Sequence, residues 1–151
     1  MIIIGCDHGG YALKADMLTR LMAKGYTLED RGCTSNETVD YPLIAADVCR
    51  QVLAHPDSCG ILFCGTGIGM SIAANKYPGI RAAHVSDVYS ARMSKEHNNA
   101  NIITLGGRTL GNELAWEIIC AYLNASFSGG IHAARLQQIS SIEAEAGRRM
   151  P

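Results

Sequence analysis

Gly60-Ile61-Leu62-Phe63-Cys64-Gly65-Thr66-Gly67-Ile68-Gly69-Met70-Ser71 is the stretch on which the fold turns. Its first five residues form an apolar run without polar alternation, as in a strand covered on both faces. The run ends on a thiol, crosses three glycines and opens a helix that reads through Lys76. A buried strand feeding a helix through a glycine turn is the repeating step of a parallel α/β sheet. The chain begins with the same step. Ile2-Ile3-Ile4-Gly5-Cys6 is a second buried run and Gly9-Gly10 turns it. Leu13, Met17, Leu18, Leu21 and Met22 follow at helical spacing, and Lys24-Gly25 closes that helix.

The rest of the chain repeats the pattern. Residues 26–30 predict a more polar edge strand, and residues 31–40 a loop. Asp40-Tyr41-Pro42 predicts a helix start, with Asp40 as N-cap and Pro42 in the first turn. Residues 81–85 and 102–105 are the fourth and fifth strands, with a helix over about 87–98 between them. Helices over 110–125 and 132–146, parted by Gly129-Gly130, close the chain. The expectation is one α/β domain over 1–151, a three-layer sandwich around a five-stranded parallel, flavodoxin- or Rossmann-like sheet with right-handed crossovers. The extra C-terminal helix, about 132–146, carries Leu136, Ile139 and Ile142 at helical spacing with no strand left to cover. That places it at a subunit interface.

Composition excludes several classes. Hydrophobic residues make up 48% of the 151, enough for a core, and the formal net charge is -1. A near-neutral chain gives no electrostatic reason for a nucleic-acid or membrane partner. No apolar run reaches ~18 residues, so a spanning helix is not expected. The apolar start runs at once into Asp7 and His8, which reads as a strand and not as a secretory leader; a cytoplasmic protein is expected. The six cysteines form no C-x-x-C pair, arguing for reduced thiols and against a zinc knuckle. Most should be inert buried groups.

In parallel sheets, ligands bind at the carboxyl ends of the strands. That selects Asp7-His8, Gly32-Cys33-Thr34, Cys64-Gly65-Thr66, Ser86-Asp87 and Gly106-Gly107-Arg108. The loop after Cys64 can aim backbone N–H groups at an anion, yet it lacks both the Walker and the dinucleotide fingerprints. Cys64 precedes a helix, where the dipole favours a thiolate able to act as base or nucleophile. A buried strand-end cysteine beside a structural turn reads equally well. Asp7 and His8 could face a ligand, or Asp7 could cap the first helix. Glu96-His97-Asn98-Asn99-Ala100-Asn101 is either a polar cluster with a task or a helix stop. His132 and Arg135, at i and i+3, could join Arg108 in holding a phosphate, or form a solvated face.

Together the strings GCDHGGYALK (5–14), DYP (40–42), CGTGIGMSIAANK (64–76), SDVYSARMSKEHNNANI (86–102) and LGGR (105–108) resemble the ribose-5-phosphate isomerase B family, which includes the galactose-6-phosphate isomerase subunits. The resemblance implies an aldose–ketose isomerase of carbohydrate metabolism acting on a small phosphorylated sugar, most simply ribose 5-phosphate. It implies no cofactor and no metal, and a homodimer or homotetramer with shared active sites. By the same resemblance, Cys64 shuttles the proton between C1 and C2, and Thr66 with the backbone of Gly65, Gly67, Gly69 and Ser71 holds the enediolate oxygens. Asp7 and His97 open the furanose ring while Asn98 grips a substrate oxygen. His8, Arg108, His132 and Arg135 supply phosphate and hydroxyl contacts, some from the partner subunit. Backbone donors at a helix terminus suit an enediolate, at ~3 kcal/mol per well-aimed donor. A base tuned to the working pH adds ~10²–10⁴-fold.

One departure bears on the substrate. The family usually reads Gly-Gly-Arg-His where this chain reads Gly129-Gly130-Ile131-His132, so a bidentate phosphate contact is missing. A tetrose, allose or galactose phosphate is therefore an alternative substrate. From other classes come a flavodoxin-like mononucleotide-binding module, which would need aromatic rings beside the glycine loop, and a pseudo-enzyme subunit with a silent Cys64.

Overall fold

The computed structural model describes residues 1–35 and 37–148. Five strands, β1 (Ile2–Cys6), β2 (Leu28–Asp30), β3 (Cys59–Cys64), β4 (Ala82–His84) and β5 (Ile102–Gly106), form one sheet in the order β2-β1-β3-β5-β4, every pair parallel. The central strands are the long apolar runs, and both of their faces are buried. Alternation sorts the faces: Ile2, Ile4, Cys6, Ile61, Phe63 and Ile103 join one core with α1 (Tyr11–Ala23), α4 (Val88–Glu96) and α5 (Asn112–Asn124). Ile3, Leu62, Cys64 and Ile102 join the other with α2 (Tyr41–Ala54) and α3 (Ile68–Ala74). The expected three-layer α/β sandwich is therefore the observed one.

Several boundaries differ from expectation. The edge strands β2 and β4 are three residues each, because each pairs on one side only. The helix expected through Lys76 ends at Ala74; Asn75 turns back to bridge α3 and β4, donating to the Ser71 and Ala82 carbonyls and accepting from the Ala82 N–H. Asp40 stands at the N-cap of α2, but its side chain accepts no cap hydrogen bond; its carbonyl instead accepts from the Leu43 N–H at 3.1 Å. Asp87 does cap α4, accepting from the Ser90 N–H at 2.7 Å, and this bond lowers its carboxyl pKa.

The last helix, α6 (Ile131–Arg148), is longer than expected at both ends. It lies beside the β4 edge, where the Glu143 carboxylate accepts the Gly79 N–H at 3.0 Å. Leu136 and Ile139 face a cavity of about 220 Å³ lined also by Ala82, Ala83 and Ala100. Ile131, Ile139 and Ile142 remain exposed, so the helix has no complete apolar partner among the described residues. Among the described residues no helix is long and apolar enough to cross a membrane.

Candidate active site

Cys64 ends β3 and is 5% exposed. Its Sγ accepts the Gly67 backbone N–H at 3.1 Å. Gly67 can turn its N–H inward because its φ is +81°, a region closed to most L-residues. Thr66 is exposed beside it, its Oγ1 accepting from the Ile68 N–H at 3.4 Å. Ser71 lies one turn into α3, with its hydroxyl donated to the Ala82 carbonyl at 3.3 Å.

Three strand ends meet here. Asp7 donates its backbone N–H to the Phe63 carbonyl, Gly107 to that of Cys64, and Arg108 to that of Gly65, at 2.8–3.1 Å. The Asp7 carboxylate, 7% exposed, accepts the Gly10 N–H at 3.0 Å and so closes the turn before α1 rather than capping the helix itself. A side chain on Gly9 would come within 2.9 Å of the Gly65 nitrogen, so the bare glycine keeps that N–H open. The Arg108 side chain lies alongside Gly65, its guanidinium 3.6 Å from where a Cβ would stand. His8 is half-buried, and its Nδ1 is buried without a partner among the described residues. The result is a thiol, a carboxylate, an imidazole and a guanidinium around open backbone donors. That set can bind an anionic substrate and move a proton.

His97, Asn98, His132 and Arg135 are not part of this cluster. The chain after α4 returns to the amino edge of the sheet, where Asn101 accepts the Gly60 N–H at 2.8 Å. Cys64 pairs in register with Gly106, and Gly60 with Ile102. The two groups are thus separated by the length of β5, about 16 Å for five residues. At that far edge the His97 and His132 rings are stacked, centroids 4.1 Å apart and planes 7° from parallel. The asparagine run serves both of its possible readings. Asn99, at φ +43°, stops the helix; Asn101 ties β4 to β5 through the Arg81 N–H and the Gly79 carbonyl; Asn98 is left exposed.

Two neighbours of the loop escape a sequence reading. His84 is the last residue of β4, and its ring stands where a Cβ on Gly67 would be, 2.7 Å from Nδ1. The strand-end rule would have selected it had the strand not been read through Val85. Tyr41, on α2, packs against Gly69 with Cε2 2.9 Å from the corresponding position, so one aromatic ring does lie beside the glycine loop. Of the selected strand-end residues, Cys33 faces away: its Sγ lies 3.4 Å from that of Cys6 in the core. Burial raises the Cys6, Cys59 and Cys120 thiols and pushes Cys49 up to about 11, which keeps these four protonated and inert. Among the described residues no three His, Cys, Asp or Glu side chains gather as metal ligands would.

The chain is similar to proteins of known family. Residues 2–139 match the family described as Ribose/Galactose Isomerase. The ribose-5-phosphate isomerase B of Escherichia coli K12 is 44% identical over 142 residues, covering 94% of this chain and 95% of the relative. The D-erythrulose-4-phosphate isomerase of Pectobacterium atrosepticum is 43% identical, with 94% of each chain covered. The structure of Clostridium thermocellum ribose-5-phosphate isomerase B superposes with a TM-score of 0.93 at 49% identity, covering 96% of this chain and 98% of that one.

Proposed function

Since the chain belongs to the ribose/galactose isomerase family and is a sugar-phosphate isomerase of the ribose-5-phosphate isomerase B type, we propose that it interconverts ribose 5-phosphate and ribulose 5-phosphate with Cys64 as the base. The observation that carries the reading is the Gly67 N–H held on the Cys64 Sγ at the point where three strand ends meet. The thiolate takes the proton from C2, and the negative charge moves to the carbonyl oxygen as an enediolate. Thr66 and the backbone of residues 65–71 hold those oxygens while the hydroxyl proton passes from O2 to O1, and the thiol returns the carbon-bound proton to C1. Asp7 and His97 open the ring, Asn98 orients a hydroxyl, and His8, Arg108 and Arg135 bind phosphate and hydroxyls.

This assignment needs a second copy of the chain, because His97 and Cys64 sit at opposite ends of one sheet. We assign the partner as an identical subunit, so that each site takes Cys64 from one copy and His97 from the other. The exposed apolar residues beside the Cys64 loop, Leu43, Ile68 and Ile72 at 69%, 51% and 59%, supply a face for that contact, as does α6.

A second substrate reading rests on Ile131, 66% exposed at the first position of α6, where the family usually has arginine. A substrate that places its phosphate on Arg108 and Arg135 does not need that arginine, and a tetrose, allose or galactose phosphate is the alternative. The test is a panel of aldose phosphates of four to six carbons, run in D₂O. Ribulose 5-phosphate carrying solvent deuterium at C1 is expected from ribose 5-phosphate. Turnover confined to another sugar would move the assignment to that sugar. No ketose from any of them would overturn it.

A further inference from the structure

We propose that His132 acts as the positioning residue for His97, its ring stacked on His97 to fix the plane in which that imidazole meets the substrate. The inference rests on the isomerase reading above, in which His97 works on the sugar ring in the neighbouring subunit's site. It assigns His132 a role other than gripping phosphate.

His97 is the C-cap of α4, its backbone N–H bonded to the Met93 carbonyl at 2.9 Å, so its main chain is fixed. Its side chain is not fixed by any hydrogen bond: among the described residues neither ring nitrogen meets a protein partner. A histidine at a helix end with two free torsions would sample several planes. The 4.1 Å, 7° stack with His132 is what removes that freedom.

The connection between α5 and α6 is shaped to deliver the stack. Ser128 donates its N–H to the Glu96 carbonyl at 2.9 Å, anchoring the connection on the residue just before His97. Gly129 and Gly130 then take φ of +66° and +56°, two successive left-handed steps that residues with a Cβ resist. These steps turn the chain so that the His132 ring, in the first turn of α6, meets that of His97. His132 follows at once, with its own N–H on the Gly129 carbonyl at 3.1 Å.

The charges around the pair suit a neutral prop. Burial, His97 and Arg135, in that order, lower the pKa of His132. Of the other charges nearby, Glu96 faces Arg92 at 3.8 Å and Lys95 lies over the Tyr122 ring. Two imidazoles in contact share one proton far more readily than two.

The test compares His132→Ala with His132→Phe, the second of which keeps a flat ring but no nitrogen. A misplaced catalytic group costs up to about 10²-fold. The Ala variant should therefore lose roughly 10–100-fold in kcat with KM within about twofold, and the Phe variant should recover kcat to within about fivefold of wild type. The His97 ring protons, shielded by the stacked ring in wild type, should move downfield in the Ala variant and stay shielded in the Phe variant. Equal losses in both variants, or a raised KM at unchanged kcat, would overturn the positioning role; the second result would make His132 a ligand contact. The two readings fail separately. A wild-type chain that isomerises no aldose phosphate overturns the isomerase reading and with it the role of His132. An active chain whose variants break the expected pattern overturns the positioning role alone.

Discussion

Gly67→Ala probes the loop that holds Cys64, and its cost follows from three contacts. The backbone at +81° strains an L-residue by about 1–2 kcal/mol. The new Cβ would meet the His84 ring at 2.7 Å and the Leu105 carbonyl carbon at 2.9 Å. The ring can swing away because His84 is exposed, but the Leu105 contact is backbone in a central strand. Overpacking of this kind costs about 1–3 kcal/mol. A loss near ~3 kcal/mol in a chain of this size lowers Tm by roughly 6–12 °C. Relief of either strain tilts the Gly67 N–H away from the Cys64 Sγ, and a hydrogen bond to a charged group carries about 1.5–3 kcal/mol. At ~1.4 kcal/mol per decade, kcat should fall about 10–100-fold. Thermal unfolding gives the first number and a ketose-forming rate assay the second. Gly67→Ala combined with His84→Ala should regain only part of the stability, since φ and the Leu105 contact are unchanged. If Gly67→Ala alone stays within about 1 kcal/mol and threefold in kcat of wild type, the loop geometry argued here does not govern the thiol.

Three further outcomes follow from the same structure. Cys64→Ala should lower kcat by at least ~10²-fold with ligand binding intact, measured by turnover and by calorimetry; more than about a tenth of the rate remaining would remove Cys64 as the base. Ile131→Arg should lower KM for ribose 5-phosphate at constant kcat if that sugar is the substrate, and should weaken the true substrate if another sugar is. No response from either would mean that position 131 does not touch the ligand. Asp30→Asn should destabilise the fold by about 2–3 kcal/mol in urea unfolding, since the Lys14 ammonium, 3% exposed, would lose its counter-charge and keep only neutral acceptors, one amide oxygen and the Cys33 carbonyl at 3.0 Å. The figure is set below the ~3–5 kcal/mol of a fully buried pair because Asp30 is 35% exposed. A change below ~0.5 kcal/mol would refute that account.

The central strands were legible because burial on both faces leaves an unmistakable apolar run in Ile2–Cys6 and Cys59–Cys64. The edge strands were harder. Half-buried backbone tolerates polar residues, so the apolar pattern over 81–85 runs one residue past β4 at each end and hides His84 as a strand end. The Asp40 cap failed for a different reason: residue type gives a side chain the capacity to cap, but the incoming chain decides whether it reaches a backbone N–H. The Asp7, Cys64 and Arg108 cluster was legible from the strand-end rule alone. The distance of His97 from it is implied by the parallel order, since a helix between parallel strands must run back to the amino edge; that of His132 was not, because nothing in chain order fixes where a terminal helix packs. Tyr41 against Gly69 was illegible for the same reason, as two segments 28 positions apart met across the α2–α3 face.

The separation of Cys64 from His97 by the length of β5 also has a genetic consequence. Under the shared arrangement proposed above, two inactive chains, one lacking the thiol and one lacking the imidazole, are not equally inactive when made in one cell. In a mixed dimer both lesions fall in the same site and the other site is whole. Random pairing in equal amounts then restores about a quarter of all sites. Two lesions on the thiol side of the sheet have no such rescue. A collection of loss-of-function alleles would accordingly sort into two complementation groups within one gene, divided by which end of the sheet each lesion occupies.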